Sequence, residues 1–232
     1  MPVKENLVMV RARIATAAQS TGRRPEEITL IAVTKTIPLD LIEQAIQAGT
    51  TDIGENRIQE AIPKIEALQS KYPQVTWHMV GHLQSNKVKQ AVENFDVIQS
   101  VDSLKLARGI GDQEIRRSGT KRIMIEVNTS GEVAKFGVQP ADTIKLLQNI
   151  SAFGSLMVEG LMTVGPLTEK AEDSRTAFKK LKQLSEQIKQ LNLPNVEMKY
   201  LSMGMSDDFE IAIEEGSNMV RIGRALFGER RG

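Results

Sequence analysis

The sequence predicts a (β/α)8 barrel, the TIM-barrel fold, with an extra helix at its N-terminus. Strand-like and helix-like segments alternate along the whole chain, and eight strand-like runs can be counted. The length of 232 residues suits one barrel, and no linker, low-complexity tract or charge block divides the chain. We therefore expect a single domain over residues 1–232. The same alternation also permits an open, doubly wound parallel sheet, which is the alternative fold.

The N-terminal half begins with a helix, because Leu7, Val10, Ile14 and Ala17 are spaced by three or four residues. Four short runs of apolar or β-branched residues follow and predict strands at 28–34, 51–53, 75–80 and 96–99. Helical spacing predicts helices at 39–48, which Gly49 ends, and at 58–68, 87–93 and 103–117. Pro63 interrupts the second of these helices, so we expect a kink or a restart there.

The C-terminal half continues the same alternation. Strand-like runs occupy 121–127, 156–161, 196–201 and 219–221. Helical spacing predicts a helix at 141–150 and another at 207–215, which Gly216 ends. Between them lies a long helix, which we expect to start near Thr168 and whose apolar side runs from Phe178 to Leu191.

Composition excludes several classes of protein. The formal net charge is only +1, so no global field favours nucleic acid or an anionic membrane. There are no cysteines, which excludes disulfides and thiolate metal sites. The first residues lack the uninterrupted apolar segment of a signal peptide, and no apolar run is long enough to span a bilayer. We expect a cytoplasmic protein with no nucleic-acid or membrane partner.

Lys35 is the first residue that points to chemistry. It follows the apolar run from Ile28 to Val33, with only Thr34 between. In a TIM barrel the active site lies where the strands lead into the loops that follow them. Burial favours the uncharged amine of a lysine, and this form attacks aldehydes. A lysine whose ammonium group reaches solvent from the first loop is the competing interpretation.

A second signal follows the eighth strand, in the segment Arg221-Ile222-Gly223-Arg224. TIM barrels often bind phosphate with the loops after strands 7 and 8 and with a short extra helix. Gly223 lets backbone amides approach an anion, and a helical turn starting near Arg224 would direct its N–H groups the same way. Ser202, after the seventh strand, can add a hydroxyl donor. An ordinary C-terminal turn containing an arginine and a glycine is the alternative.

Other polar residues carry weaker signals. His78 or His82 could be an acid/base group, although we expect a structural histidine in each case. A zinc site is not expected, because the chain has only two histidines and no carboxylate cluster near them. Asp207 and Asp208 could bind a metal, but at the start of a helix they are better interpreted as partners of its N-terminal dipole.

Five motifs stand in an order that resembles the YggS/PROSC family of pyridoxal 5′-phosphate (PLP) homeostasis proteins. The resemblance covers essentially the whole chain, and the third and fourth motifs are highly specific. The motifs are Ala32-Val33-Thr34-Lys35, Gly54-Glu55-Asn56, the segment 78–87 (HMVGHLQSNK), the segment 201–208 (LSMGMSDD) and Val220-Arg221-Ile222-Gly223. This family is similar to the barrel domain of bacterial alanine racemases, which independently implies the same fold.

The resemblance implies a role for each candidate residue. Lys35 matches the lysine that holds PLP as a Schiff base, and Arg221 matches the arginine that faces the pyridine nitrogen. Asn56 matches a residue that lines the cofactor pocket. The phosphate-binding positions of the family correspond to Ser202, Gly223 and Arg224. The family further implies a cytosolic, mostly monomeric protein that buffers PLP or delivers it to PLP-dependent apoenzymes, and that affects amino-acid and keto-acid balance.

The residues also predict weak catalysis, with no catalytic residue assigned. An arginine beside the pyridine nitrogen cannot accept a proton and leaves that nitrogen unprotonated. Two-base racemisation needs a second acid/base group, which alanine racemases take from a tyrosine of a separate C-terminal domain. We expect no such domain after the last barrel segment, and Tyr72 and Tyr200 do not lie at predicted strand ends. A PLP-dependent amino-acid racemase and a cofactor-free Schiff-base aldolase remain the enzymatic alternatives.

Overall fold

The computed structural model describes residues 2–132, 134–168 and 170–228, and their eight strands form one closed barrel. All neighbouring strands are parallel and follow one another in sequence order, and the last strand pairs with the first. The TIM-barrel prediction is confirmed, and the open doubly wound sheet is excluded because the sheet has no edge. The predicted domain, residues 1–232, also contains Met1, Val133, Glu169 and residues 229–232, which lie outside the described residues.

The strands and helices alternate after one leading helix, as the sequence predicts. The strands are β1 (Thr29–Val33), β2 (Asp52–Glu55), β3 (Thr76–Met79), β4 (Val97–Val101), β5 (Lys121–Glu126), β6 (Leu156–Met162), β7 (Val196–Ser202) and β8 (Met219–Ile222). The helices are α1 (Val3–Ser20), α2 (Leu39–Gln47), α3 (Ile58–Leu68), α4 (Val88–Asn94), α5 (Leu104–Ile115), α6 (Pro140–Ile150), α7 (Arg175–Gln190), α8 (Phe209–Glu214) and α9 (Arg224–Phe227).

Alternation along each strand divides its side chains between two cores. One set faces the surrounding helices, as Ile98, Ile123 and Ile125 do in the large outer cluster. The other set faces the barrel axis, where Ile31, Val97, Met124 and Met219 pack together with the partly buried Tyr200. Above this apolar layer the inward-facing positions become polar, so the interior leads directly into the candidate site.

The extra N-terminal helix is confirmed and packs against the part of the barrel where it closes. Leu7, Val10 and Ile14 on α1 are buried against Val220 of β8 and Phe209 of α8. The apolar spacing of α1 therefore positions the strands that carry the first and last residues of the candidate site. Among the described residues, no helix has the length and apolarity that crossing a membrane would require.

The restart of α3 at Pro63 is excluded, because the helix is continuous from Ile58 to Leu68, while a kink there stays a prediction. This proline lies on the exposed side, where water can bond the carbonyl left without a donor. A second helix differs from its predicted form. Helix α7 begins at Arg175 rather than near Thr168, after a 3₁₀ turn at Ala171–Ser174. The Thr168 hydroxyl donates to Asp173 Oδ2 at 2.5 Å, and this local bond competes with a regular helix.

Candidate cofactor site

A cavity of about 490 Å³ opens at the end of the barrel where β1, β7 and β8 finish. This is the end at which TIM barrels carry their active sites, and the volume lies in the usual range for small-molecule sites. The cavity is lined by Val33, Lys35, Ile37, Met205, Ser206, Asp207, Arg221, Gly223, Arg224, Phe227 and Gly228. The structure thus brings Lys35, Arg221, Gly223 and Arg224 together in one cavity, as the sequence predicts.

Lys35 lies in the turn directly after β1, and its side chain is partly buried. Hydrogen bonds among Thr34, Glu55 and Lys64 fix the backbone next to it. Glu55 Oε1 accepts hydrogen bonds from the Thr34 hydroxyl and from Lys64 Nζ, both at 2.6 Å, and Lys64 Nζ also donates to the Thr34 carbonyl at 2.7 Å. Glu55 belongs to the motif Gly54-Glu55-Asn56, so this part of the motif holds the residue before Lys35 in place.

The loops after β7 and β8 form the other side of the cavity. Ser206 Oγ accepts a hydrogen bond from the amide of Ala225 at 3.2 Å, which joins the two loops. Gly223 precedes the short helix α9, and a side chain at this position would approach the carbonyl oxygen of Val33 to 3.4 Å. The guanidinium of Arg224 forms an ion pair with Asp207, so Arg224 faces the cavity beside a carboxylate. Hydroxyl, backbone amides and guanidinium together make this side suitable for an anion.

Gly204 explains how the loop after β7 reaches this position. Its φ is +93°, in the region that favours glycine, and an added Cβ would lie 2.5 Å from Cβ of Ala212. Asp208 closes the same loop, because its Oδ1 accepts from the amide of Met205 at 2.7 Å. The predicted helix from 207 begins at Phe209 instead. Asp207 and Asp208 thus hold the loop together through Arg224 and Met205, and the expected role as dipole partners is replaced by these contacts.

Arg221 extends from β8 into the cavity and is almost fully buried. Its Nη1 donates to the Ser202 hydroxyl and its Nη2 to the Thr163 carbonyl, both at 2.7 Å. Burial lowers the pKa of Arg221 to about 10, although Glu126 and Asp208 oppose the change. The guanidinium therefore stays charged at neutral pH and is held by neutral hydrogen-bond acceptors.

Ser202 is not placed as the sequence predicts. It is the last residue of β7, it is fully buried, and its hydroxyl donates to Gln99 Oε1 at 2.7 Å while accepting from Arg221. It is not among the residues that line the cavity. The hydroxyl that faces the cavity from this loop belongs to Ser206, which the sequence interpretation missed. The alternation of β7 explains the difference, since Ser202 is directed into the barrel interior and only the following loop turns to the cavity.

Asn56 lies after β2, outside the group of residues that line the cavity. Its Oδ1 is buried and has no hydrogen-bond partner among the described residues. Gly81 after β3 packs against its backbone, because an added Cβ would lie 2.4 Å from the Asn56 carbonyl oxygen. The two glycine-containing motifs at the ends of β2 and β3 therefore touch each other, and the close approach requires a glycine at position 81.

Glu126 is a buried carboxyl at the end of β5 that the sequence interpretation missed. Burial and the negative charge of Asp102 raise the pKa of Glu126 to about 7, against the opposing effect of Arg221. Its Oε2 has no partner among the described residues. The signal that could have found it is the alternation of β5, which directs Glu126 and Met124 to the same interior face.

The remaining candidates take structural positions. His78 is buried in the barrel interior, between Asp52 and Gln99. His82 stacks on Phe136, with ring centroids 3.8 Å apart. In the part of the chain that the structure describes, no group of three or more histidine or carboxylate side chains could hold a metal ion.

Comparison with known proteins identifies the family. The family model described as alanine racemase, N-terminal domain, matches residues 6–231. The pyridoxal phosphate homeostasis protein of Haemophilus influenzae is 39% identical over 230 residues, which cover 99% of this chain and 97% of that protein. The structure of PipY from Synechococcus elongatus PCC7942 with PLP bound has a TM-score of 0.84 and 33% identity, over 97% of this chain and 100% of that one.

Alanine racemase of Clostridium difficile 630 shares the fold with a TM-score of 0.72, but only 15% identity. This chain covers 56% of that enzyme, so the likeness is confined to part of the racemase. The matches to the homeostasis proteins, in contrast, extend over nearly the full length of both chains. The predicted resemblance is confirmed, and the chain belongs to the alanine racemase N-terminal domain family, where its full-length relatives are pyridoxal phosphate homeostasis proteins.

Proposed function

We propose that this protein binds PLP in the cavity at the ends of β1, β7 and β8 and serves intracellular PLP homeostasis. The observation that carries the proposal is the convergence of Lys35, Arg221 and the segment after β8 on one cavity. These groups match the three chemical features of PLP, which are an aldehyde, a pyridine nitrogen and a phosphate. The family membership and the PLP bound to PipY support the same conclusion.

The residues present fit PLP in a definite orientation. Lys35 would hold the aldehyde carbon as a Schiff base, since it is the lysine among the residues that line the cavity. Gly223 and Arg224 would bind the phosphate with backbone amides and charge, and Ser206 adds a hydroxyl on the same side. Arg221 would face the pyridine nitrogen. Asn56 follows β2 and does not line the cavity, so its contact with the cofactor stays a prediction from the family resemblance, which its buried and unpartnered Oδ1 among the described residues leaves open.

Bound PLP supplies an electron-withdrawing ring that stabilises negative charge next to the amine it holds. The residues of this chain limit that chemistry. Arg221 is a permanent cation at neutral pH and leaves the ring nitrogen without a proton. Neither Tyr72 nor Tyr200 lines the cavity, so no described tyrosine provides a second acid/base group there. The arginine alone does not separate the two roles, since racemases also use an arginine there, and it is the lack of a described tyrosine at the cavity that favours a carrier over a racemase.

The same site suggests where the protein works and which proteins receive its PLP. A protein that holds PLP by one covalent bond in a cavity open to solvent is suited to exchange. We propose that it works in the cytoplasm, as a monomer, and passes PLP to PLP-dependent apoenzymes. Amino-acid and keto-acid balance would then depend on how well those enzymes are loaded.

Titration of the purified, PLP-free protein with PLP tests the proposal. We expect saturable binding with a visible absorption band in the wild type, and loss of the band in Lys35→Arg, which keeps the charge but cannot condense with an aldehyde. Lys89→Arg, at an exposed lysine of α4, is the matched control and should behave as the wild type. Absence of saturable binding, or an unchanged band in Lys35→Arg, would refute the proposal.

Transfer separates a carrier from an enzyme. The loaded protein, mixed with the apo form of a PLP-dependent enzyme, should restore that enzyme's activity while its own absorption band decreases. Retention of all PLP in the presence of excess apoenzyme would exclude the carrier role and favour the alternative, a weak PLP-dependent racemase.

A further inference from the structure

A chain of hydrogen bonds crosses the barrel interior beneath the cavity and ends on Arg221. Arg221 Nη1 lies 2.7 Å from Ser202 Oγ, which lies 2.7 Å from Gln99 Oε1. Gln99 Nε2 lies 3.0 Å from His78 Nδ1, and His78 Nε2 lies 3.0 Å from Asp52 Oδ1. The five residues come from β8, β7, β4, β3 and β2, so the chain connects distant parts of the barrel wall.

With a neutral imidazole at His78, the donors and acceptors along this chain are consistent in one direction. The hydrogen bond from His78, aided by other partners, outweighs burial and keeps the pKa of Asp52 below its usual value. The Asp52 carboxylate is therefore an acceptor, and His78 Nε2 carries the proton that it receives. His78 Nδ1 then accepts from the Gln99 amide, and Gln99 Oε1 is left facing Ser202.

Ser202 is the last link between Gln99 and Arg221, and its hydroxyl follows the same donor-to-acceptor order. Its hydroxyl hydrogen is used by Gln99 Oε1, so the oxygen lone pairs are free for Arg221 Nη1. The opposite orientation of Gln99 would direct two donors, its own amide and the guanidinium, at Ser202 Oγ and leave the hydroxyl hydrogen without this acceptor. Asp52 and His78 thus set the orientation of Gln99, and through it they leave the lone pairs of the Ser202 oxygen available to Arg221.

Because Arg221 is buried, the position of its guanidinium depends on the hydrogen bonds of this chain. Arg221, Ser202, Gln99 and His78 are all buried, and no ion pair of the described residues includes Arg221. A buried guanidinium without a paired carboxylate depends on well-placed neutral acceptors, because each N–H that loses its partner there is costly. The second Nη of Arg221 is bound to the Thr163 carbonyl at 2.7 Å, so Ser202 provides the remaining fixed point at the tip of the side chain.

We propose that Gln99 and Ser202 are positioning residues that fix the Arg221 guanidinium at the floor of the cofactor cavity through the hydrogen-bonded chain from Asp52 and His78. This inference rests on the proposed function in that the positioned group serves bound PLP. It assigns Ser202 a role different from phosphate binding, and it gives Gln99 and His78, which do not line the cavity, a part in cofactor binding.

The first test uses the PLP-free protein, so that it does not depend on the proposed function. The side-chain N–H signals of Arg221 are identified in ¹⁵N NMR spectra by their absence in Arg221→Lys. We expect them to exchange with solvent far more slowly than those of Arg57, which lies exposed on the surface. Exchange of Arg221 as fast as Arg57 in the wild type would overturn the proposal without any variant of the chain.

The second test uses variants in the PLP-loaded protein. Ser202→Ala and Gln99→Met each interrupt the chain, and each should weaken PLP binding about tenfold, equivalent to 1.4 kcal/mol, and shift the absorption band. Ser155→Ala is the matched control, because Ser155 is a buried hydroxyl bonded to the Gly111 carbonyl at 3.2 Å, away from the cavity.

The outcomes separate the two proposals. Slow Arg221 exchange with no PLP binding in the wild type would leave the positioning chain intact and refute the proposed function. Folded Ser202→Ala and Gln99→Met proteins with wild-type PLP affinity and band, like Ser155→Ala, would show that the chain only stabilises the barrel and would overturn the inference. If the variants do not fold, exchange of the Arg221 N–H groups as fast as that of Arg57 in the wild type would still overturn the inference.

Discussion

Replacement of Glu126 by glutamine should make the protein more stable above pH 7 and leave its stability nearly unchanged near pH 4. Burial and Asp102 raise the pKa of Glu126 to about 7 in the folded protein, whereas an unfolded glutamate titrates near about 4.3. The folded state therefore binds an extra proton between these values. The contribution of Glu126 to the free energy of unfolding falls as pH rises through this window and is constant above about pH 7.

The magnitude follows from the size of the window. A difference of about 2.7 pKa units, at 1.36 kcal/mol per unit, corresponds to about 3.7 kcal/mol as an upper bound. Glutamine has nearly the same shape and no charge to desolvate, so Glu126→Gln removes this penalty. For a chain of this size, about 2–4 °C in Tm accompanies each kcal/mol, which makes the effect easy to measure.

The assay is denaturant-induced unfolding of the PLP-free wild type and Glu126→Gln across the range from about pH 4 to pH 8. The difference in unfolding free energy should grow with pH in favour of the variant. Glu66→Gln, at an exposed position on α3, is the matched control and should show no such trend. A difference that is independent of pH, or a variant that is less stable than wild type at pH 8, would refute the reasoning.

Three further predictions concern the cofactor. Lys35→Ala should keep the fold and lose the absorption band of covalently bound PLP; borohydride trapping of PLP on another lysine in this variant would show that the assignment of Lys35 is wrong. Arg221→Glu should change the pH dependence of the bound cofactor's spectrum, because a carboxylate can share a proton with the ring nitrogen; normal PLP binding with an unchanged pH titration would argue against Arg221 facing the ring. In deuterated solvent, the wild type should exchange the α-protons of common amino acids only at trace rates, since general acid–base help is worth roughly 10²–10⁴-fold; turnover of about 1–10³ per second for any one of them would make the protein an enzyme.

The sequence was most informative where the signal is local. A purely apolar strand followed by Lys35, and a glycine with two arginines at the end of the last strand, predicted residues that meet in one cavity. Eight alternations of strand and helix predicted the barrel, because the order of parallel strands follows the order of the chain. The start of α7 was misplaced because a hydrogen bond from Thr168 to Asp173 replaces the first expected turn.

Contacts across the barrel could not be predicted from the sequence. Whether Ser202 or Ser206 faces the cavity depends on the residue at which β7 ends and on the direction of its last side chain. The meeting of Gln99 with Ser202 depends on the stagger between strands that do not pair with each other. The alternation of β5 could direct Glu126 to the barrel interior, but its raised pKa arises from burial beside Asp102, which the sequence does not place there. All three contacts depend on how the strands are staggered when the barrel closes. The alternation of strands and helices predicts a closed barrel, but it does not give this stagger.

Reduction of the PLP-loaded wild type with borohydride, followed by peptide mapping, tests the central claim most directly. Borohydride converts a Schiff base into a stable secondary amine, so the modified peptide identifies the lysine that held the cofactor. We predict that the modification lies on Lys35, at the end of β1. Modification of a different lysine, such as Lys64 or Lys135, with Lys35 unmodified, would contradict the account.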